Sequence, residues 1–361
     1  MDQQGRTEMQ FRASSKGLIG VDITSATVKL VELRRAGASY QVESYAVRPL
    51  REGAVVERRI QDMGEVVDAL SRAVQQARPH SRRAVVAVPA SAAITKTLTL
   101  PASLSDDEIE ARIQLDSDKH IPFPFSEVAF DFQRLGLNAR YADQQDVLLV
   151  ACRQQDVSQL TDAVLQAGLT PEAVDVETFA MERAFTEVRH QLPASSGEED
   201  CVALVDIGAT MNTFHVLREG RVVYSRDTVF GGRQLTEEIR NRYGLSLDEA
   251  GLAKKRGGLP EDYPRSVLGP FLDTLVQQVG RSLQLYYTAG RKQEVRRMVL
   301  AGGTSMLPGL AERLAQESGM EVSIANPLAR MKVNGRIDVQ TLSGDAPALL
   351  AACGLAMRSR P

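Results

Sequence analysis

Two well-separated segments of the chain carry one pattern: IGVDITSATVKLVEL from Ile19 to Leu33, and ALVDIGATMNTFHVL from Ala203 to Leu217. Each is an apolar run ending in an aspartate, a turn of small residues and a second β-type run. A further turn, at Ala36-Gly37 or Glu219-Gly220, leads into a third run. This is the pattern of a three-stranded meander with an acid at its first turn. A chain that repeats it is built from two related halves, which excludes a lone small module. The length agrees, since 361 residues make two or three domains at roughly 150 residues each.

Around the meanders, helix and strand periods alternate, so the expected fold class is α/β. Residues 62–77 place Val66, Ala69, Leu70 and Val74 at helical spacing, and RAVVAVP at 83–89 reads as a buried strand. Ser105 and Glu108 form a capping box between Leu104 and Ile109, so a helix starts there and runs toward His120, where Pro122 and Pro124 stop it. Strands are expected at 128–133 and 146–152, and a helix at 156–167 closed by Gly168. Residues 92–167 therefore read as a small inserted α+β subdomain. PASSGEED at 193–200 reads as a linker between the halves. Gly231-Gly232 opens a helix-rich region at 235–243, 247–255 and 270–287, followed by a strand at 297–301 and a helix at 307–317.

Composition narrows the function. With 43 Lys plus Arg against 46 Asp plus Glu, a net charge of -3, no basic excess exists to neutralise a phosphate backbone, so nucleic acid is not expected as a partner. The three cysteines, Cys152, Cys201 and Cys353, and the four histidines are scattered. No disulfide framework or zinc site is expected, and a reducing cytosol is the default. Residues 1–16 mix both charges and read as a polar tail without the apolar core of a secretory signal. The uncharged stretches, 346–357 near the C-terminus among them, fall short of the roughly twenty apolar residues that cross a bilayer. Direct membrane insertion is not expected.

The acidic turns carry the chemistry. At Asp206-Ile207-Gly208-Ala209-Thr210 a strand ends in a carboxylate and turns through small residues, so backbone amides can face a phosphate while Asp206 holds a hydrated Mg²⁺. Asp22-Ile23-Thr24-Ser25 repeats the arrangement, and two such turns facing each other would grip a polyphosphate from both sides. Lys29 either adds a cation near the terminal phosphates or is a solvated strand lysine. Gly302-Gly303-Thr304-Ser305, after an apolar strand, lets a flat ligand approach the backbone beside a helix N-terminus.

With these motifs in this order, the sequence resembles the actin-like ATPase superfamily. Residues 22–29 match its phosphate-1 loop, residues 206–210 its phosphate-2 loop, and residues 302–305 its adenosine motif; ETFAMERAF at 177–185 and APALLAACGLAM at 346–357 match its two connecting helices. Within the superfamily the chain resembles the PilM family of type IV pilus assembly, through Ile94-Thr95-Lys96-Thr97, residues 104–110, HIPFPF at 120–125 and VAFD at 128–131. The resemblance implies an actin-like fold of two duplicated α/β domains around a nucleotide cleft. Residues 17–195 make domain 1, with an FtsA-type 1C insert at about 92–167; 200–345 make domain 2, with subdomain 2B at about 232–298; 346–361 return to domain 1. It implies bound ATP and Mg, the metal held through water by Asp22 and Asp206. The cofactor set is Asp22, Thr24, Ser25, Lys29, Asp206, Gly208, Thr210, Gly231, Gly232, Lys254, Gly302, Gly303 and Thr304.

The family's partner is the N-terminal cytoplasmic peptide of PilN, bound against subdomains 1A and 1C. Motor ATPases, the platform protein and self-association are further candidate partners, and the expected location is cytoplasmic, peripheral to the inner membrane. Ile121, Phe123 and Phe125 either line a groove for that peptide or fill the insert's core. Glu177 either positions an attacking water or is a helix N-terminal acid favoured by the dipole. Thr24 stands where the superfamily has glycine, and residues 250–254 keep the lysine of an AExxK motif without its acid. ATP binding is therefore expected to be weak or partner-dependent, with slow or absent turnover. A small-molecule kinase and an FtsA-like filament former share the fold, but no sugar-positioning motif and no amphipathic anchoring helix supports either.

Overall fold

The structure, a computed structural model, describes residues 17–193, 201–290 and 293–358. The tail at 1–16 and all but the first residue of the linker at 193–200 lie outside them. The first half runs β1 (Leu18–Ile23), β2 (Thr27–Ala36), β3 (Ser39–Pro49), a short hairpin of β4 (Val55–Val56) and β5 (Arg59–Ile60), α1 (Met63–Ala77) and β6 (Arg83–Val88). The insert follows as β7 (Ile94–Pro101), α2 (Asp106–Leu115), α3 (Ser117–His120), β8 (Val128–Leu137) and β9 (Gln144–Arg153). The half closes with α4 (Gln154–Gln166), β10 (Thr170–Val176) and α5 (Glu177–Val188). The second half comprises β11 (Cys201–Ile207), β12 (Asn212–Arg218), β13 (Arg221–Thr228), α6 (Gly232–Tyr243), α7 (Leu247–Arg256), α8 (Gly269–Thr288), β14 (Val295–Ala301), α9 (Leu310–Ser318) and β15 (Glu321–Ile324). The chain ends in β16 (Lys332–Val333), α10 (Val339–Asp345) and α11 (Leu350–Ala356).

The duplication is visible strand by strand. One sheet has the order β10-β6-β1-β2-β3-β16 and the other β15-β14-β11-β12-β13. In both, the first strand pairs antiparallel with the second and parallel with a later one. The register places Lys29 opposite Asp22 and Thr213 opposite Asp206. The first sheet departs from the second by one strand, β16, which arrives from the far end of the chain and pairs parallel with β3.

Helices cover both faces of both sheets. α1 and α4 pack their apolar stripes on one face of the first sheet, and α6 to α9 on one face of the second. α5 and α11 fill the space between the sheets: Met181, Phe185 and Val188 meet the second sheet, while Ala352, Cys353 and Ala356 meet the first. Two glycines permit this closeness. A Cβ on Gly354 would lie 1.8 Å from the Ala180 carbonyl oxygen, and one on Gly20 1.9 Å from that of Ala352.

The insert is a three-stranded sheet, β7-β9-β8, over a core of its own made of Leu98, Ile109, Ile113, Val147 and Leu149. The Ser105–Glu108 capping box forms as expected. The expected boundary at 167 does not hold, because α4 sets Ala163 and Val164 into the first half's core. The helix expected from 307 starts at Leu310, after Gly309 has turned the chain through a φ of +80°. Among the described residues no helix is long and apolar enough to cross a membrane.

Candidate functional site

The two acidic turns meet. Asp22 ends β1, and Lys29, at the facing position of β2, donates to it at 2.7 Å. Both side chains of the pair are mostly buried. Across the cleft Asp206 ends β11, and the following turn is closed by the Gly208 amide donating to the Met211 carbonyl at 2.9 Å. Ser25 Oγ of one turn lies 2.8 Å from Thr210 Oγ1 of the other. Thr24 closes its own turn: its amide and its hydroxyl both donate to the Thr27 carbonyl at 2.9 Å. That amide is spent within the turn, as the Gly208 amide is at the matching position of the second turn, and Thr24 differs by the hydroxyl it adds to the same carbonyl.

The Gly302–Ser305 loop packs directly behind Asp206. Gly302 has φ +85°, and a Cβ there would meet Asp206 Oδ1 and the Ile207 carbonyl oxygen at 2.4 Å each. Thr304 donates its amide to the Ile207 carbonyl at 3.1 Å and its hydroxyl to the Gly208 carbonyl at 2.9 Å, with Gly303 between them. Gly231 backs onto the same turn, where a Cβ would lie 2.5 Å from the Gly208 carbonyl oxygen, and the Gly232 amide donates to that oxygen at 3.0 Å. Lys254 reaches back from α7 to the Gly232 carbonyl at 2.8 Å and the Thr236 hydroxyl at 2.7 Å. Burial pushes its amine down to about 8, with a smaller push from Lys255.

A residue outside the expected set completes the cleft. Arg58, in the β4–β5 turn, forms an ion pair with Glu177 and donates to Thr213 Oγ1 at 3.2 Å. Burial works against its charge, but Glu177, then Asp206 and Asp227, outweigh it and hold the guanidinium charged. Glu177 is the first residue of α5, and it lines a small cavity with Asp22 and Arg58. The cavity bounded by Asp22, Arg58, Glu177 and Ala351 has a volume of about 30 Å³, room for a water or two. No sequence signal marks Arg58, because a two-residue hairpin turn with positive φ ordinarily asks for Asn-Gly, and Glu57-Arg58 fills this one at φ 48° and 63°.

Asp22 and Glu177 are paired with cations, whereas Asp206 has no ion-pair partner among the described residues. Burial, reinforced by the Glu177 charge, pushes its carboxyl up to about 6 against the pull of Lys29 and Arg58. Among the described residues no group of three or more His, Cys, Asp or Glu could hold a metal directly. A hydrated ion held through water by two aspartates remains compatible with the chemistry present.

His215, on β12 beyond Thr213, is 2% exposed, and its Nδ1 has no hydrogen-bond partner. Burial pushes it down to about 4, so as pH falls the unfolded chain protonates first, near 6.5. The stability tied to this neutral ring is complete above pH 6.5 and declines as pH drops toward 4. His215→Leu is expected to remove about 2 kcal/mol of the stability lost between pH 7 and pH 5, measured by urea unfolding at both pH values.

The structure places the expected partner residues apart from this cleft. Ile121 is buried at 3% exposure, so it does not line an open groove. Phe123 and Phe125 are half-buried, Phe123 beneath the Arg153 guanidinium at 4.0 Å from ring centroid to Cζ, Phe125 against Phe130 at 5.3 Å between centroids. Beside Arg153, where the insert meets the first half, lies a groove of about 330 Å³ lined by Arg59, Gln61, Arg153, Gln155, Asp156 and Gln159.

Residues 20–360 match the sequence family described as Type IV pilus assembly protein PilM. The chain belongs to this PilM family. It is similar to a PilM chain solved as part of a PilM-PilN type IV pilus biogenesis complex, at 26% identity and a TM-score of 0.75, over 95% of this chain and 98% of that one. The ethanolamine utilization protein EutJ from Carboxydothermus hydrogenoformans, at 15% identity and a TM-score of 0.56 over 94% of this chain and 89% of that one, shares the fold alone. EutJ of Escherichia coli K12 is 30% identical over 137 residues, 37% of this chain and 46% of that protein. The chain spans about half the length of the curated relatives it matches. The fold of this PilM-family chain is the actin-like one.

Proposed function

We propose that this PilM-family chain is a nucleotide-binding scaffold of the type IV pilus assembly platform. It would hold the cytoplasmic N-terminal peptide of a PilN-type membrane protein in the groove between insert and first half. The observation that carries this is the near-complete match in chain coverage and fold to the PilM of a PilM-PilN complex, together with a polar groove at that seam. The groove's arginines and amides suit the carbonyls and polar side chains of an extended peptide, and Phe123 braces the Arg153 guanidinium from beneath. On this reading the chain works beside the inner membrane through its partner.

The cleft is the nucleotide site. Asp22, Asp206, Lys29 and the Ser25 and Thr210 turns would hold Mg and the phosphates, and Gly231, Gly232, Lys254, Gly302, Gly303 and Thr304 the nucleoside. A bound ATP would supply the polyanion that draws both turns together. Glu177, tied to Arg58, is poorly free to orient a water, which favours slow turnover. Motor ATPases, the platform protein and a second copy of the chain remain candidates for other surfaces.

The test is fluorescence anisotropy of a labelled PilN N-terminal peptide. Arg153→Glu and Phe123→Ser are each expected to weaken binding about tenfold or more. Unchanged affinity in folded variants would remove the peptide from this groove.

A further inference from the structure

The end of the first sheet away from Asp22 gathers arginines that neither the cleft nor the partner groove uses. Pairing of Leu18 with Leu33 and of Ile19 with Ala84 sets Arg34, Arg35, Arg82 and Arg83 around the start of β1. The carboxylates near them are engaged: Glu43 by Arg34 and Glu172 by Arg83. The buried Glu32 accepts from the amides of His80 and Ser81 at 3.0 and 2.8 Å and from the Ser44 hydroxyl at 3.1 Å. Its charge is thereby turned inward, and the loop at 78–82 is pinned. Arg336, which follows β16, joins that loop by donating to His80 Nε2 at 2.9 Å. Arg35, Arg78, Arg82 and Arg336 are exposed and have no carboxylate partner among the described residues. Arg78 caps α1 at φ 46°, a left-handed position that glycine fills at lower cost. With Arg82, Ser71, Gln75 and Gln166 it lines a second groove, of about 690 Å³, between the ends of α1 and α4.

We propose that this end is a docking surface for anionic phospholipid headgroups, on which the chain adsorbs without inserting. Guanidinium groups take phosphate oxygens two at a time, and each arginine close to an anionic bilayer adds about fivefold to partition. Width favours a surface over a peptide. Arg82 precedes β6 and Arg336 follows β16, four strand places apart, which is about 19 Å at the backbone spacing of a sheet, whereas an extended peptide is one strand wide. Charge then orients the molecule: the total is -3, so with cations gathered here the remainder is net acidic and turns from the bilayer. The partner groove lies at the other end of the same two helices, lined by Gln61 and Gln159 where this one is lined by Gln75 and Gln166. α4 has 13 residues, about 20 Å of helix, a distance that about six extended residues span. A membrane-anchored partner seated in the first groove would keep the arginines near the headgroups, where weak adsorption suffices. The surface adds a second hold to the partner reading and stands without it, since vesicles alone test it.

Flotation of the full chain with vesicles is that test, using phosphatidylcholine alone or with about 30% phosphatidylglycerol, at about 50 mM and about 500 mM salt. The parent is expected to prefer the phosphatidylglycerol vesicles about tenfold or more at the lower salt and to lose that preference at the higher. Arg78→Glu together with Arg82→Glu, and separately Arg35→Glu together with Arg336→Glu, should each cut binding about tenfold or more. Arg240→Glu together with Arg265→Glu, both exposed in the second half, changes the net charge equally and should leave binding within about twofold. Arg78→Gly excludes unfolding as the cause: it relieves the left-handed cap, so it should unfold at the same or higher urea concentration while binding about threefold more weakly. No preference for anionic vesicles, an equal loss in the control pair, or full binding in the Arg78 and Arg82 double variant would each overturn the proposal. Loss at Arg78 and Arg82 with none at Arg35 and Arg336 would also overturn it, and would place an acidic peptide in the groove. PilN-peptide affinity should be unchanged in all these variants, so failure here leaves the partner reading standing.

Discussion

Asp206→Ala is expected to abolish Mg-nucleotide binding, a loss of about a hundredfold or more by calorimetry. Of the three carboxylates around the cleft it alone lacks a cation partner among the described residues, and it sits against the loop that Gly302 allows to approach. A carboxyl pushed up to about 6 makes protons competitors of the metal. Binding to the parent should weaken about tenfold between pH 7 and pH 5, and Asp206→Asn should be flat over that range. The same shift has a stability sign. A folded-state pKa above the ordinary 3.8 means that the fold loses stability as pH rises through about 6. Asp206→Asn should therefore be up to about 3 kcal/mol more stable than the parent at pH 7 without ligand. A variant that loses the ligand yet melts later separates a site residue from a structural one. Unchanged binding in Asp206→Ala would remove this residue from the site.

Gly354→Ala carries the largest expected effect on stability. The added Cβ would lie 1.8 Å from the Ala180 carbonyl oxygen, and a helix backbone cannot turn aside as a side chain can. α5 and α11 must separate, opening the packing between the two sheets. Overpacking typically costs 1–3 kcal/mol, and a backbone collision belongs at or above the top of that range, so about 3 kcal/mol or more is expected in urea unfolding. Gly280→Ala is the contrast. Gly280 lies within α8 with no atom within 4 Å of its would-be Cβ, and there alanine should stabilise by up to about 1 kcal/mol through helix propensity. Similar losses at the two positions would refute the close-crossing account. Because α5 begins at Glu177, the Gly354 variant should also bind nucleotide more weakly.

The parts of this fold legible in the sequence are those written in local pattern. The repeated Asp-ended meanders announced the two sheets, the Ser105–Glu108 box marked a helix start, and residues 346–357 matched a connecting helix. β16 and the β4–β5 hairpin have strands of two residues, too short to carry a period. Gly168 marked the end of α4, but nothing local showed that the first half's sheet would cover the helix in place of the insert's. In the site, the glycines and aspartates were readable because their roles depend on backbone approach and charge at a turn. Arg58 was not, since an arginine in a polar turn looks like a solvated one until the fold brings Glu177 to it. Ile121 misled for the converse reason: its neighbours Phe123 and Phe125 are half-exposed, and sequence alternation could not separate them.

β16 and α11 have a consequence for how the molecule is made. The ribosome delivers residues 17–188 first, yet the sheet they build is completed on its β3 edge by residues 332–333 and covered on one face by residues 350–356. The half synthesised first is therefore finished last. Until residues 328–357 have emerged, Val31, Leu33 and Val42 lack the cover that α11 and its neighbours give them, an exposed surface of the kind that chaperones hold. A break late in the message would damage the first lobe more than the one being translated when it occurred.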